Sequence, residues 1–263
     1  MTQSICKIML LLLAGSFACS SSRGQSCPDQ AESVAVVRFV DAEAKAGIPL
    51  YAEQLPGLRE AVISLTTRGL ASALNADVPP VEFYRVVPAS YELRGSKVVR
   101  EAVQLDNGSE WIVAVNCQKA RKLLLEGSRE PLAAFNEMIK DLNLHVADAE
   151  TALGVFDFFL QVTRGSRLRW GVVSDEMKLE SVALDDFRLR FPETKRKAAF
   201  SAWWAGVPIA VRKALAPPKA APLRNGFNLE YFSYSEGIVS AQSLTMSVDG
   251  TVAQGKPRIL SSR

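Results

Sequence analysis

The sequence predicts an α+β fold, and three observations carry that expectation. Residues 97–117 and 227–260 are β-rich runs separated by tight-turn residues, as adjoining antiparallel strands require. Between them, residues 128–163 read as two apolar-striped helices joined by a short turn. Strands meeting at tight turns, with helices between the two β regions, favour this class over a doubly wound parallel sheet. The expected arrangement is an antiparallel sheet built from an N-terminal hairpin region and a C-terminal three-stranded meander, with helices packed on one face. Residues 34–263 then form a single α+β domain, a split into subdomains near residue 165 being the alternative.

Residues 1–19 read as an export signal. Lys7 is the only charged side chain before the apolar run 8–14, and small residues follow at Gly15, Ser16 and Ala18. The run is far shorter than the ~20 residues that cross a bilayer, so a cleaved leader is expected rather than a spanning anchor. The expected location is therefore the periplasm, the cell envelope or the extracellular space. Ser16-Phe17-Ala18-Cys19 resembles a bacterial lipoprotein cleavage box, with Phe17 and Ser16 departing from its usual residues. That resemblance implies lipidation at Cys19; ordinary cleavage after Ala18 or Ser20 is the alternative. Residues 20–33 form an exposed leader.

Four cysteines are present, and Cys6 lies inside the signal. Cys27 and Cys117 are left to pair in an oxidising compartment, closing a loop of about 90 residues worth on the order of 4–5 kcal/mol in the chain-entropy model. Two unpaired buried thiols are the alternative.

Residues 34–40 are a β-branched run that suits a first strand, or the start of a helix through the Ala-rich 41–46. Residues 58–74 fit a helix weakened by Thr66, Thr67 and Gly69, with a strand through the middle as the alternative, and Pro79-Pro80 ends whichever forms. Residues 81–87 read as a strand beside a hairpin of 97–105 and 110–117, turning at Asp106-Asn107-Gly108-Ser109. In the central pair, Ser128 is placed to cap the first helix and Asp148 the second. Leu132, Phe135, Ile139 and Leu142 line one face of the first. Leu153, Val155, Phe156, Phe158, Phe159, Leu160 and Val162 make the second apolar over most of its surface, so it should be covered on nearly every side. Residues 167–173 and 181–191 alternate enough to suggest strands. Pro192 opens a helix through Trp204, and 207–215 suits a further short one. The Pro/Ala-rich 216–222 reads as an exposed connector. The meander 227–235, 238–248 and 251–260 turns at Glu236-Gly237 and Asp249-Gly250.

Several chemistries are disfavoured. There is one histidine, His145, so no site can hold two histidine ligands. No Gly-x-Ser-x-Gly elbow, phosphate-binding glycine loop or His-Glu-x-x-His helix is present, and no cysteine pair has zinc spacing. No catalytic residues, metal or cofactor are assigned. His145 reads as a turn residue beside a helix cap. The neighbours Asp175-Glu176 and Asp185-Asp186 read as solvated turns and a strand edge, since adjacent acids on a strand face opposite ways and cannot make a hydrolytic dyad.

The feature with most content is charge segregation. Arg188, Arg190, Lys195, Arg196, Lys197, Arg212, Lys213, Lys219 and Arg224 face a single acid, Glu193, within residues 188–224. Trp203 and Trp204 are interleaved. Cations beside aromatic rings suit an anionic membrane surface or an envelope polymer, whereas a solvated helix face with core tryptophans is the plainer account. Nucleic acid has the same electrostatic licence without a recognition motif. The expected protein is an exported, non-catalytic binding or assembly component of the cell envelope. The alternatives are an exported hydrolase using carboxylates convergent in the fold, or a carrier of lipid or a small apolar ligand.

Overall fold

The structure, a computed structural model, describes residues 29–44, 47, 49–68, 81–88, 93–94, 97–98, 110–164 and 170–261. In chain order the first half holds α1 (Asp29–Ala44), β1 (Leu50–Gln54), α2 (Pro56–Arg68), β2 (Val81–Pro88), β3 (Leu93–Arg94), β4 (Lys97–Val98), β5 (Trp111–Asn116) and β6 (Arg121–Glu126). The centre is α3 (Pro131–Leu142) and α4 (Ala149–Arg164). The second half holds β7 (Trp170–Val172), α5 (Glu176–Arg190), α6 (Glu193–Gly206), α7 (Ile209–Ala214), β8 (Lys219–Leu223), β9 (Gly226–Ser235), β10 (Ile238–Ser247), β11 (Val252–Gln254) and β12 (Arg258–Ser261). The fold is α+β, with antiparallel sheets and seven helices among the described residues.

The two β regions build two sheets rather than one. The first runs β1-β2-β5-β6; in the second, β11-β10-β9-β7 form the path while β12 also pairs with β10 and β8 with β9. β3 and β4 pair only with each other. Helices cover both faces of the first sheet, not one. Val81, Phe83, Ile112, Ala114 and Leu125 face α2, α3 and α4, while the alternate residues Tyr84, Val86, Val113 and Val115 face Val36 and Val40 of α1. Residues 34–40 thus belong to a helix: the β-branched run supplies the stripe that closes the outer face.

α4 is the hub of the core. Phe158 meets Phe83 of the first sheet edge-on at 5.7 Å, Phe159 meets Phe135 of α3 at 4.9 Å, and Phe156 meets Tyr231 of the second sheet at 4.8 Å. Burying each such ring contributes roughly 1.5–3 kcal/mol. Asp148 caps this helix as expected, accepting from the Thr151 N–H at 2.7 Å. The cap expected at Ser128 falls instead at Glu130, and Ser128 Oγ accepts from the Glu130 N–H one step earlier. Proline at the first helical position, Pro131, sets that start.

The second sheet is covered on both faces too. Phe227, Leu229, Tyr231, Leu244 and Met246 turn towards α4, whereas Tyr234 and Val239 turn towards α5 and α6. Residues 181–191 are helical, not extended. The buried stripe of α5 is Leu179, Ala183, Asp186 and Phe187 at helical spacing, and an aspartate and an alanine within it conceal the period. The Pro/Ala-rich 216–222 is no free connector either: β8 pairs with the start of β9, its Pro222 lying on a short outer strand. The third run of the meander is broken at Gly255 to Pro257 into β11 and β12, both paired with β10. The two-residue turn Glu236-Gly237 has φ of 51° and 91°, as a hairpin turn of this length needs. Gly226, with φ of 140°, opens β9 where a Cβ would strike the Met246 carbonyl. The Asp106 to Ser109 turn, residues 99–105 and residues 1–28, including Cys6, Cys19 and Cys27, lie outside the described residues.

Candidate functional site

The basic segment folds into something less basic than its sequence. Its first arginines belong to α5, whose acids precede them: Arg188 pairs with Asp185 at 2.7 Å and Arg190 with Asp186 at 2.6 Å. Arg212 of α7 pairs with Glu176 at 2.9 Å and lays its guanidinium 5.0 Å over the Trp204 ring. Three of the nine cations are thus neutralised by acids lying just before residue 188. The tryptophans are structural as well. Trp203 is buried and donates its indole N–H to the Gly237 carbonyl at 2.9 Å; Trp204 is half-buried and stacks on Phe200. Lys195, Lys197 and Lys213 are exposed and Arg196 half-buried, and none makes an ion pair among the described residues.

Asp186 was expected at a strand edge. It is instead wholly buried on α5, where its carboxylate accepts from the Tyr234 hydroxyl and faces Arg190. Burial, the hydrogen bond and the negative charge all push the Tyr234 hydroxyl well above its ordinary range. Arg190 also rests 4.6 Å over Phe187. This trio ties α5 to β9 and is not available to a ligand.

Five further carboxylates are likewise occupied. Asp175 caps α5, accepting from the Lys178 N–H at 2.8 Å. Asp141 holds Lys119 at 2.7 Å and Arg121, which also reaches Glu137. Asp249 organises the turn after β10. Glu82, buried, binds Arg59 at 3.1 Å and Gln54 at 2.8 Å. His145 is exposed in the link between α3 and α4. Among the described residues no group of three or more His, Cys, Asp or Glu is placed to hold a metal ion, and no helix is long and apolar enough to cross a membrane. Cys117, in the turn after β5, is disulfide-bonded.

What the fold assembles, and the sequence reading missed, is a groove on the second sheet. It has a volume of about 390 Å³ and lies on the face where α5 and α6 pack, beyond their reach. Two cross-strand rows make its floor. Arg258, Ala241 and Phe232 are aligned across β12, β10 and β9; Ser243, Glu230 and Lys219 are aligned across β10, β9 and β8. Residues aligned across antiparallel strands share a face, and rows two residues apart share it too. Lys256 stands over one edge, and Ala216 and Pro217, following α7, wall the other. Gly255 makes this possible: its N–H donates to the Ser243 carbonyl at 2.9 Å, and any side chain there would strike Ser243 Oγ.

The electrostatics are one-sided. Lys219, Lys256 and Arg258 are exposed and make no ion pair among the described residues, while the only acid of the lining, Glu230, accepts from Asn228 at 3.3 Å. Three cations without ion pairs among the described residues, set in a lining where Ala241 and Phe232 lie beside Ser243 and Glu230, favour an anionic occupant. The sequence signal was Lys256-Pro257-Arg258, but Lys219 joins it only through strand pairing.

No protein-family model, curated protein or solved structure matches the chain.

Proposed function

We propose that this is an exported, non-catalytic binding component of the cell envelope, and that it takes an anionic ligand in the groove rimmed by Lys219, Lys256 and Arg258. The observation that carries the reading is that these three cations, brought from two separate stretches of chain, have no ion-pair partner among the described residues although acids elsewhere on the surface are paired. The disulfide at Cys117 supports an oxidising compartment and hence export. A hydrolytic reading is disfavoured because the buried acids Glu82 and Asp186 serve as ion-pair partners, and Glu230 is the one acid lining the groove. A carrier with an internal cavity is disfavoured because Phe83, Phe135, Phe156 and Phe158, all buried, fill the space around α4.

The reading is tested by salt-dependent retention of the purified protein on two resins bearing phosphate or carboxylate groups, one on short arms and one on long alkyl arms, comparing it with the variant carrying Lys219→Glu, Lys256→Glu and Arg258→Glu. Retention by the parent that falls with added salt and is lost in the variant is the expected result. Equal behaviour of parent and variant, or no retention on either resin, overturns it.

A further inference from the structure

Resting on that reading, we infer that the groove is built for a small amphiphilic anion, one carboxylate or phosphate head on an apolar body, rather than for a stretch of polyanion. The lining is divided. Lys256 and Arg258 stand together at the β12 edge with no acid beside them, whereas Lys219 at the β8 edge is the register partner of Glu230. The uncompensated positive charge is therefore at one end only. Arg258 presents a planar fork that meets a carboxylate or phosphate with two parallel hydrogen bonds, and Lys256 adds a point charge. Between the edges lie Ala241 and Phe232, with Glu230 and Ser243 in the row beside them, and beyond them Ala216 and Pro217.

A polyanion needs cations at intervals along its track, and an apolar wall gives it nothing. An alkyl or aromatic body gains from the same wall about 25 cal/mol for each Å² it removes from water. The volume of about 390 Å³ falls in the ~300–1,000 Å³ range of small-molecule sites. Four adjacent strands, β12, β10, β9 and β8, carry the floor, so its span is roughly 14 Å, three strand spacings. That suits a molecule lying across the strands with its head at Arg258.

The test titrates the purified protein with decanoate, decyl phosphate, acetate, inorganic phosphate and polyphosphate, alongside the variants Arg258→Ala and Ala216→Glu. Arg258 is exposed and Ala216 half-buried, and unchanged thermal midpoints check the folding of both variants. The expected result is that decanoate or decyl phosphate binds at least about tenfold more tightly than its short counterpart. Each variant should weaken that binding by about tenfold, Arg258→Ala through the head and Ala216→Glu through the wall. Which of the two alkyl anions binds more tightly identifies the head group. Binding of polyphosphate alone overturns the amphiphile while leaving the anionic groove standing. Alkyl binding that neither variant changes places the site elsewhere and overturns the inference. Binding of none of the five overturns both.

Discussion

Asn136 and Val252 exchange two hydrogen bonds: the side-chain amide of Asn136 donates to the Val252 carbonyl and accepts from the Val252 N–H, both at 2.8 Å. The amide imitates a neighbouring strand, so α3 is locked to the short strand β11. Asn136→Ala strands both backbone groups in a partly buried place and should cost about 1–3 kcal/mol. Asn136→Asp keeps the acceptor but sets a carboxylate against a carbonyl, and should be no better. Urea unfolding of the three proteins checks this, and wild-type stability in both variants would contradict it.

The Asp186 trio has a different signature. Asp186→Asn leaves Arg190, itself mostly buried, facing a neutral amide, and should destabilise by on the order of 3–5 kcal/mol. Tyr234→Phe removes one donor and should cost less, about 1–3 kcal/mol. The order of the two, read from denaturation midpoints, is the check. A milder Asp186→Asn than Tyr234→Phe would mean that the pair with Arg190 contributes nothing.

An aspartate and an alanine within its buried stripe conceal α5 in the sequence. Where a buried stripe was apolar, as in α4, its period showed plainly and the helix was legible end to end. In α5 the stripe includes Ala183 and Asp186, and the remaining apolar residues Val182, Leu184 and Leu189 then imitate an alternating strand. β8 was hidden by its composition: proline and alanine are tolerated on an outer strand, so its presence depends on pairing with β9 rather than on local propensity. The site was less legible still. The basic window began at Arg188, just past the acids of the same helix that neutralise part of it. Arg258 and Lys219 come together only because β10 and β9 lie between them.

Acid should reveal the Asp141 clamp. Burial alone would raise this carboxyl, but hydrogen bonds and charge from Lys119 and Arg121 outweigh it and hold the group below its ordinary value of 3.8. A carboxyl lowered in the folded state stabilises the fold above its unfolded pKa and loses that contribution as pH falls through the folded value. Asp141→Asn should therefore be less stable than the parent at pH 7, and the gap should close progressively below about pH 4. A gap independent of pH would show that charge at Asp141 is not what holds α3 to the β5–β6 turn.

The disulfide of Cys117 is expected to join Cys27. Glu32, early in α1, reaches Lys122 on β6 at 2.9 Å, which brings the chain five residues past Cys27 beside the turn that holds Cys117. Peptide mapping without reductant should recover a Cys27–Cys117 pair. Reduction should lower stability by up to about 4–5 kcal/mol, the chain-entropy value for a loop of this length. Recovery of Cys117 joined to Cys19 would overturn the pairing and the lipidation of Cys19, and recovery of Cys117 joined to Cys6 would overturn the cleaved leader as well.

The measurement closest to the centre of the account is an amide chemical-shift map of the ¹⁵N-labelled protein during titration with decanoate and with decyl phosphate. Saturable shifts confined to Phe232, Ala241, Ser243, Lys256 and Arg258, with Ala216 beside them, are the expected result. Shifts that gather at Lys195, Arg196 and Lys197 instead, or that never saturate anywhere, would contradict it.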